Sequence, residues 1–212
     1  MRVIELTRPF RAIRRISMRP AAVRELSAAG AGASVPGPVV IVKQPKNSKW
    51  CWAAVAVGVA QTYDGMRHLC QCEVAIRVVG GDCCQGIDPN VCEDDNTSIK
   101  NCNQAAALED ALAATGNGVK NGVQSPPLVF ADLQKEIDTG RIVCFREKGV
   151  LKEGHFVYAV GYGVPIPGCV TVVDPLDGVI RHPYYDGPDG FRSGCDDSYK
   201  TKPLGAVKGR QP

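Results

Sequence analysis

The order in which helical and strand patterns follow one another constrains the fold of this 212-residue chain most. An alanine- and valine-rich run over residues 51–63 is long enough for a buried helix, and further helices are indicated after Asn103 and over residues 130–139. Beyond Arg141 the pattern changes to short runs of β-branched and aromatic residues separated by Gly and Pro, which is typical of antiparallel strands. The predicted strands cover residues 141–145, 155–162, 170–173 and 179–182. Helices first and strands second predict an α+β fold, in which a helical half packs against a sheet half and leaves a cleft between them.

The ends of these elements are predicted from residues with known end preferences. Asn103 is the expected N-cap of the second helix and Gly116 its stop, while Gly140 ends the third helix. A short apolar strand is expected over residues 39–42. Residues 69–102, where Gly and Pro alternate with several cysteines, are predicted to form a loop.

The first 38 residues differ in composition from the rest of the chain. Arginines and apolar side chains alternate near the N-terminus, which favours either an amphipathic helix that docks on the domain or on a partner, or a disordered basic tail. Residues 21–38 are rich in Ala, Gly, Ser and Pro, which is typical of a linker. We therefore expect residues 1–38 to be a propeptide, a targeting segment or a disordered tail, and residues 39–212 to form one domain.

Charge and hydropathy exclude two classes of protein. The net charge of +3 is small for this length, and much of the positive charge lies near the N-terminus, so no nucleic-acid surface is indicated. No apolar run approaches the roughly 20 residues that span a bilayer. Residues 1–34 also lack the uninterrupted apolar core of a secretory signal, so export by the general pathway is not supported.

Ten cysteines are a high number for this chain, and six of them fall in one short stretch. Disulfides in an oxidising compartment, a zinc site and reduced thiols that fill a loop are all open. Zinc ligands are usually paired at two-residue spacings, whereas this stretch has Cys-x-Cys and Cys-Cys, which favours disulfides. Either the protein is secreted by a non-classical route, or it is cytoplasmic and its thiols stay reduced. The disulfide candidates are Cys70, Cys72, Cys83, Cys84, Cys92 and Cys102.

Four side chains are candidates for nucleophilic catalysis. Cys51 begins a predicted helix, whose N-terminus favours a thiolate. His155 opens an apolar strand and can face a cleft from the rim of the sheet, although a single histidine is more often structural. Asp174 ends the next strand, where it would orient the imidazole, although an Asp before Pro is also a common turn former. Gln44 offers an amide to a developing oxyanion, unless it is an ordinary surface glutamine.

Three stretches that contain these residues resemble the signatures of papain-like cysteine peptidases. They are residues 44–54, with the motif Trp-Cys-Trp-Ala-Ala, the Gly154-His155 strand and Val173-Asp174-Pro175. The likeness is greatest to the compact bacterial members, which include peptidases that cleave bacteriocin leaders and effector peptidases of plant pathogens. It extends over about residues 39–201, and one departure is that Gln44 lies one position farther from Cys51 than is usual in the family.

The resemblance implies a papain-like fold and hydrolysis of a protein or peptide substrate through a thioester acyl-enzyme, without a metal or an organic cofactor. Cys51 would be the nucleophile, His155 the general base, Asp174 its orienting partner, and Gln44 part of the oxyanion hole. We expect a monomeric thiol protease, either a secreted effector or a peptide-processing enzyme. Two other functions use the same fold: a catalytically inactive or latent binding module, and acyl transfer to an amine by the same triad.

Overall fold

The computed structural model describes residues 32–64, 69–81, 102–148, 154–185, 190–191 and 195–202. Within these ranges the chain forms four helices and a seven-stranded antiparallel sheet. The helices are α1 (Cys51–Asp64), α2 (Gln71–Val79), α3 (Leu108–Ala114) and α4 (Phe130–Asp138). The strands are β1 (Ala33–Ser34), β2 (Gly118–Gln124), β3 (Val143–Glu147), β4 (His155–Tyr162), β5 (Val170–Asp174), β6 (Val179–Arg181) and β7 (Cys195–Thr201).

The sheet order is β2-β7-β3-β4-β5-β6, and β1 pairs with the end of β4. All of these pairings are antiparallel. Strand β4 is central and buried over almost its whole length, and α1 packs against it. All four helices precede β3, and five of the seven strands follow α4, which confirms the predicted α+β fold.

Helix α1 is the buried centre of the helical half. Every residue from Cys51 to Ala60 is buried, because the run combines valines with small side chains that let neighbouring elements approach closely. Gly58 marks the closest approach: a Cβ at this position would lie 2.5 Å from the hydroxyl oxygen of Tyr158 on β4. That hydroxyl donates a hydrogen bond to the carbonyl of Val40, so the contact also fixes the segment that leads to α1.

Residues 39–42 do not form the predicted strand, although Val39 makes an isolated β-bridge. At Val40 two side chains satisfy the backbone: the Val40 N–H donates to Oγ1 of Thr62 at 3.1 Å, and its carbonyl accepts from Tyr158. A strand appears earlier, at β1, inside the stretch predicted to be a linker. Small residues allow this: a Cβ on Gly161 of β4 would lie 2.9 Å from the carbonyl oxygen of Ala33. The predictions for residues 1–31 lie outside the described residues.

Helix α2 lies where a loop was predicted, so that prediction is wrong for residues 71–79, while residues 82–101 lie outside the described residues. The helix is capped by Cys70, whose sulfur accepts a hydrogen bond from the backbone N–H of Glu73 at 3.4 Å, while the Glu73 carboxylate accepts from the Cys70 N–H. The buried side chains of Val74 and Ala75 pack toward the core. A cysteine in a capping box is an unusual N-cap, which is why the sequence pattern concealed this helix.

Helix α3 begins later than predicted, at Leu108, and its N-cap is Ala107. The side chain of Asn103 is used elsewhere: Oδ1 accepts from the Lys49 N–H at 2.6 Å, and Nδ2 donates to the carbonyl of Asn47 at 3.3 Å. Asn103 therefore ties its segment to the loop before α1 and does not cap the helix.

Strands β2 and β7 were not predicted, because their sequences lack an apolar alternation. In β7 the buried positions include polar side chains that bind backbone groups of neighbouring segments. Ser198 Oγ accepts from the Leu128 N–H at 3.1 Å, and Thr201 Oγ1 donates to the Ile142 carbonyl at 2.7 Å. Among the described residues, no helix is long and apolar enough to cross a membrane.

Candidate active site

Cys51 is the first residue of α1, and the segment around residues 102–104 holds the start of this helix in place. The indole N–H of Trp50 donates to the carbonyl of Cys102 at 2.8 Å, and that of Trp52 donates to the carbonyl of Gln104 at 3.1 Å. The first intrahelical bond runs from the Ala54 N–H to the Trp50 carbonyl at 2.9 Å. The N–H of Cys51 therefore has no acceptor within the helix, and the helix N-terminus favours negative charge at this residue.

His155 and Asp174 come together from neighbouring strands. His155 is the first residue of β4 and Asp174 the last residue of β5, and the two strands are paired. His155 Nε2 lies 2.7 Å from Oδ1 of Asp174, and both side chains are buried. The structure thus brings together the histidine and the aspartate that were predicted to act as a pair.

The surroundings of His155 favour its protonated form. Burial by itself lowers the pKa of the imidazole, but the hydrogen bond to Asp174, the contact with Cys51 and the charges of both partners outweigh this effect and raise the pKa from 6.5 to about 9. For Asp174, burial raises the pKa, but the hydrogen bond and charge of His155 lower it below its ordinary value. The N–H of Leu176, which donates to Oδ1 at 2.9 Å, and the charge of Arg181 act in the same direction.

The two ring nitrogens of His155 have different environments. Nε2 is held by Asp174, whereas Nδ1 is buried and makes no hydrogen bond of standard geometry to a described residue. Cys51 is close enough to contribute to the raised pKa of the imidazole. Because Nε2 is already engaged, Nδ1 is the ring atom that can exchange a proton at the Cys51 side of the site.

Gln44 is buried between the loop that precedes Cys51 and the residue that follows Asp174. Its backbone N–H donates to the carbonyl of Pro175 at 2.9 Å, and its side-chain Nε2 donates to the carbonyl of Ser48, also at 2.9 Å. The Ser48 carbonyl fixes the orientation of the amide, because a carbonyl can only face the NH₂ group. This bond uses one of the two Nε2 protons, and the buried side-chain oxygen of Gln44 makes no hydrogen bond to a described residue.

Two further charged residues surround Asp174 that the sequence patterns did not single out. Arg181 of β6 places Nε 3.0 Å from Oδ2 of Asp174 and donates from a terminal nitrogen to Oε2 of Glu147 at 2.9 Å. Glu147 ends β3 and is the cross-strand partner of His155. The sequence signal that could have identified these two residues is a charge within an otherwise apolar strand, because a buried charge requires a partner.

A cavity of about 390 Å³ opens beside Cys51. Its wall is largely apolar, and Lys49, Glu109 of α3 and Arg146 of β3 add charge. The apolar lining includes Trp52, Ala106, Phe156 and Tyr199. A side chain of an extended peptide fits a cavity of this size next to the thiol.

The described cysteines differ from one another in state. Cys70 is a thiol whose sulfur caps α2, so it is not bridged as predicted. Cys72 and Cys102 are buried, while Cys83, Cys84 and Cys92 lie outside the described residues. Within the described ranges, no three His, Cys, Asp or Glu side chains are grouped so that they could hold a metal ion.

Comparison with known proteins finds similarity at the level of structure. No family model matches the sequence, and no curated protein matches it. A solved C39-like peptidase from Bacillus anthracis is similar with a TM-score of 0.46 and 14% sequence identity, over 79% of this chain and 96% of that chain. A recombinant stem bromelain precursor is similar with a TM-score of 0.41 and 15% identity, over 76% of this chain and 67% of that chain.

Proposed function

We propose that this protein is a papain-like cysteine endopeptidase that hydrolyses peptide bonds through a thioester acyl-enzyme. The observation that carries the proposal is a thiol at a helix N-terminus beside a buried histidine whose other ring nitrogen lies 2.7 Å from an aspartate. A histidine with a pKa of about 9 is protonated at neutral pH, and its positive charge favours the thiolate of Cys51. This combination requires no metal or organic cofactor.

In the acylation step the Cys51 thiolate attacks the carbonyl carbon of the scissile peptide bond. The negative charge that develops on the carbonyl oxygen is stabilised by the Cys51 backbone N–H and by the second Nε2 proton of Gln44. His155 then gives its Nδ1 proton to the leaving amine, the C–N bond breaks, and the acyl group remains on sulfur as a thioester.

In the deacylation step the now neutral His155 accepts a proton from water through Nδ1 while the water oxygen attacks the thioester. The C–S bond breaks, the acid product leaves, and the thiolate and the protonated imidazole are restored. Asp174 holds Nε2 throughout, so that Nδ1 stays directed at the reacting atoms. An amine in place of water would turn the same cycle into acyl transfer.

The first test is cleavage of a diverse peptide library by the full chain and by its Cys51→Ala variant, with and without reductant, with products identified by mass spectrometry. We expect cleavage by the parent and none by Cys51→Ala. Cys169→Ala is the matched control, because it also removes a buried thiol, but one next to the end of β5 opposite to Asp174. Products carrying a new amide, and no hydrolysed ends, would identify an acyl transferase instead.

A second test examines the thiol without a substrate. A thiol-directed peptidyl electrophile should label the parent and Cys169→Ala, and labelling should be lost in Cys51→Ala and strongly reduced in His155→Ala. Equal labelling of the parent and His155→Ala would show that the histidine does not activate the thiol. Absence of both labelling and cleavage would favour a binding module with this fold.

We also propose that the cysteine cluster is cross-linked and that the protein acts as a secreted monomer on protein or peptide substrates. In support, six of the ten cysteines fall in one short stretch, and an oxidising compartment favours disulfides there. Intact mass after alkylation under denaturing conditions, with and without prior reduction, counts the bridged cysteines in protein isolated from its native source. A full set of ten alkylated thiols without reduction would contradict this proposal.

A further inference from the structure

We propose that Arg181, tethered by the buried carboxylate of Glu147, is a positioning residue that keeps Asp174 ionised and directs its Oδ1 at His155. This inference rests on the proposed function, because it assigns a role in the same site. Neither residue lines the cavity beside Cys51, so they would act on catalysis through Asp174 alone.

The two oxygens of Asp174 have separate partners. Oδ1 receives His155 Nε2 at 2.7 Å and the Leu176 N–H at 2.9 Å. Oδ2 lies 3.0 Å from Arg181 Nε, an ion pair rather than an aligned hydrogen bond. Partial rotation of the carboxylate about its Cβ–Cγ bond would break all of these contacts. Arg181 therefore contributes an interaction that fixes the plane of the carboxylate and keeps one of its oxygens facing the histidine.

Arg181 is itself held from the other side. Its terminal nitrogen donates to Oε2 of Glu147 at 2.9 Å, and the side chain of Glu147 is only 1% exposed. A carboxylate this deeply buried is unfavourable without a cation, so Glu147 strongly favours the guanidinium position seen here. The planar guanidinium suits this role, because it can engage two carboxylates with different nitrogens, whereas an ammonium group is a single point charge.

Sheet topology brings the four residues together from four consecutive strands. Glu147, His155, Asp174 and Arg181 lie on β3, β4, β5 and β6, which are neighbours in that order. Glu147 is paired directly with His155, so the tether of Arg181 and the imidazole are set by the same pair of strands. A displacement of β6 would thus be transmitted to Asp174.

The charged groups that face Asp174 favour its ionised form, because His155 and Arg181 both lower its pKa. Besides Arg181 and its partner Glu147, His155 on β4 faces Asp174, and Cys51 on α1 lies beyond that histidine. The positive charge of Arg181 is one cause of the lowered pKa of Asp174. Without Arg181, two buried carboxylates lose their shared cation, and the pKa of Asp174 rises.

The test uses Arg181→Met, Arg181→Lys and Glu147→Gln in the full chain. We expect Arg181→Met to lower kcat on the order of tenfold to a hundredfold, the range found when a group that orients a metal-binding side chain is removed. KM should stay near the parent value, because Arg181 does not line the cavity. The acid limb of the kcat profile should move to higher pH, and Arg181→Lys should recover part of the lost kcat.

Arg141→Met is the matched control. Arg141 forms an ion pair with the mostly buried Glu136, and its side chain is 31% exposed against 35% for Arg181. It should therefore reproduce a general loss of stability without a change in kcat or in the pH profile. An Arg181→Met enzyme with parental kcat and pH profile would overturn the proposal, and so would an equal loss of kcat in Arg141→Met.

Two measurements keep the proposal testable beyond this variant. If Arg181→Met does not fold, parental kcat and pH profiles in both Arg181→Lys and Glu147→Gln would overturn it. Titration of the Asp174 side-chain carbon by NMR needs no turnover, and Arg181→Lys or Arg181→Met should titrate at higher pH than the parent. A parent that shows no peptidase activity would remove the proposed function, while the NMR result would still decide whether Arg181 controls the ionisation of Asp174.

Discussion

Replacement of Asp174 by Asn tests the electrostatic basis of the site most directly. The pKa of His155 is about 9 against 6.5 for an ordinary imidazole. At about 1.4 kcal/mol for each factor of ten in protonation, the site favours the imidazolium by roughly 3 kcal/mol. Burial is the largest single cause and lowers this pKa; among the causes that raise it, the hydrogen bond to Asp174 is the largest, followed by the hydrogen bond to Cys51 and by the charges of both residues.

Asparagine keeps an oxygen for Nε2 but removes the negative charge. We expect the pKa of His155 in Asp174→Asn to fall well below 9, because the largest of the causes that raise it is removed while burial, which lowers it, remains. A return to the ordinary value of 6.5 would lower the protonated share of His155 at pH 7.5 from nearly all molecules to about a tenth. The rate of thiol alkylation at that pH should decrease with the protonated share.

The assay is an NMR titration of protein labelled at the histidine ring carbons. The chain has three histidines, so His155→Gln assigns the resonance of interest. Asp177→Asn is the matched control, because Asp177 is an exposed carboxylate close to Asp174 in the sequence. A His155 resonance that still titrates near pH 9 in Asp174→Asn would refute the reasoning, and an equal fall in Asp177→Asn would show a non-specific charge effect.

Three other predictions concern stability and the oxyanion site. The raised pKa of His155 stabilises the folded state by an amount that is complete below pH 6.5 and is lost as the pH rises through about 9. The free energy of unfolding, measured by urea denaturation, should therefore decrease by at most about 3 kcal/mol over this pH range. This decrease should be absent in His155→Gln. Gly58→Ala should lower the free energy of unfolding by about 1–3 kcal/mol, because its Cβ would lie 2.5 Å from the Tyr158 hydroxyl, and Tyr158→Phe should relieve part of the loss if this clash is the cause. Gln44→Ala should lower kcat on the order of a hundredfold to a thousandfold with little change in KM. Gln71→Ala, which removes an equally buried amide that also binds a backbone carbonyl, should leave kcat unchanged. Equal effects of the two substitutions on kcat would contradict an oxyanion role for Gln44.

The sequence predicted those parts of the fold in which one local pattern dominates. Strand β4 was predicted with its observed bounds because it is an uninterrupted apolar run, and helix α1 was predicted because its small and branched residues form one long buried segment. Both are core elements, and the conformation of each can be recognised from its own sequence without knowledge of a distant partner. The position of Cys51 at the start of α1 followed from the same pattern.

The missed elements depend on contacts between segments far apart in the sequence. Asn103 has the properties of an N-cap, yet its side chain binds Lys49 and Asn47, more than fifty residues away. Ser198 in β7 is polar and buried because its hydroxyl accepts the N–H of Leu128. No local pattern contains these pairings, so propensity alone assigns such segments to loops or to the wrong helix end.

The same distinction applies to the site. Cys51, His155 and Asp174 could be selected individually by chemistry and position, but Arg181 and Glu147 acquire meaning only once β3 and β6 are placed on either side of the β4–β5 pair. Gln44 joins the two halves, since its backbone binds the residue after Asp174 while its side chain is held by the loop before Cys51. A shift of the helical half against the sheet would therefore move the proposed oxyanion donor and the aspartate together. We expect the backbone hydrogen bond from Gln44 to Pro175 to couple these two parts of the site.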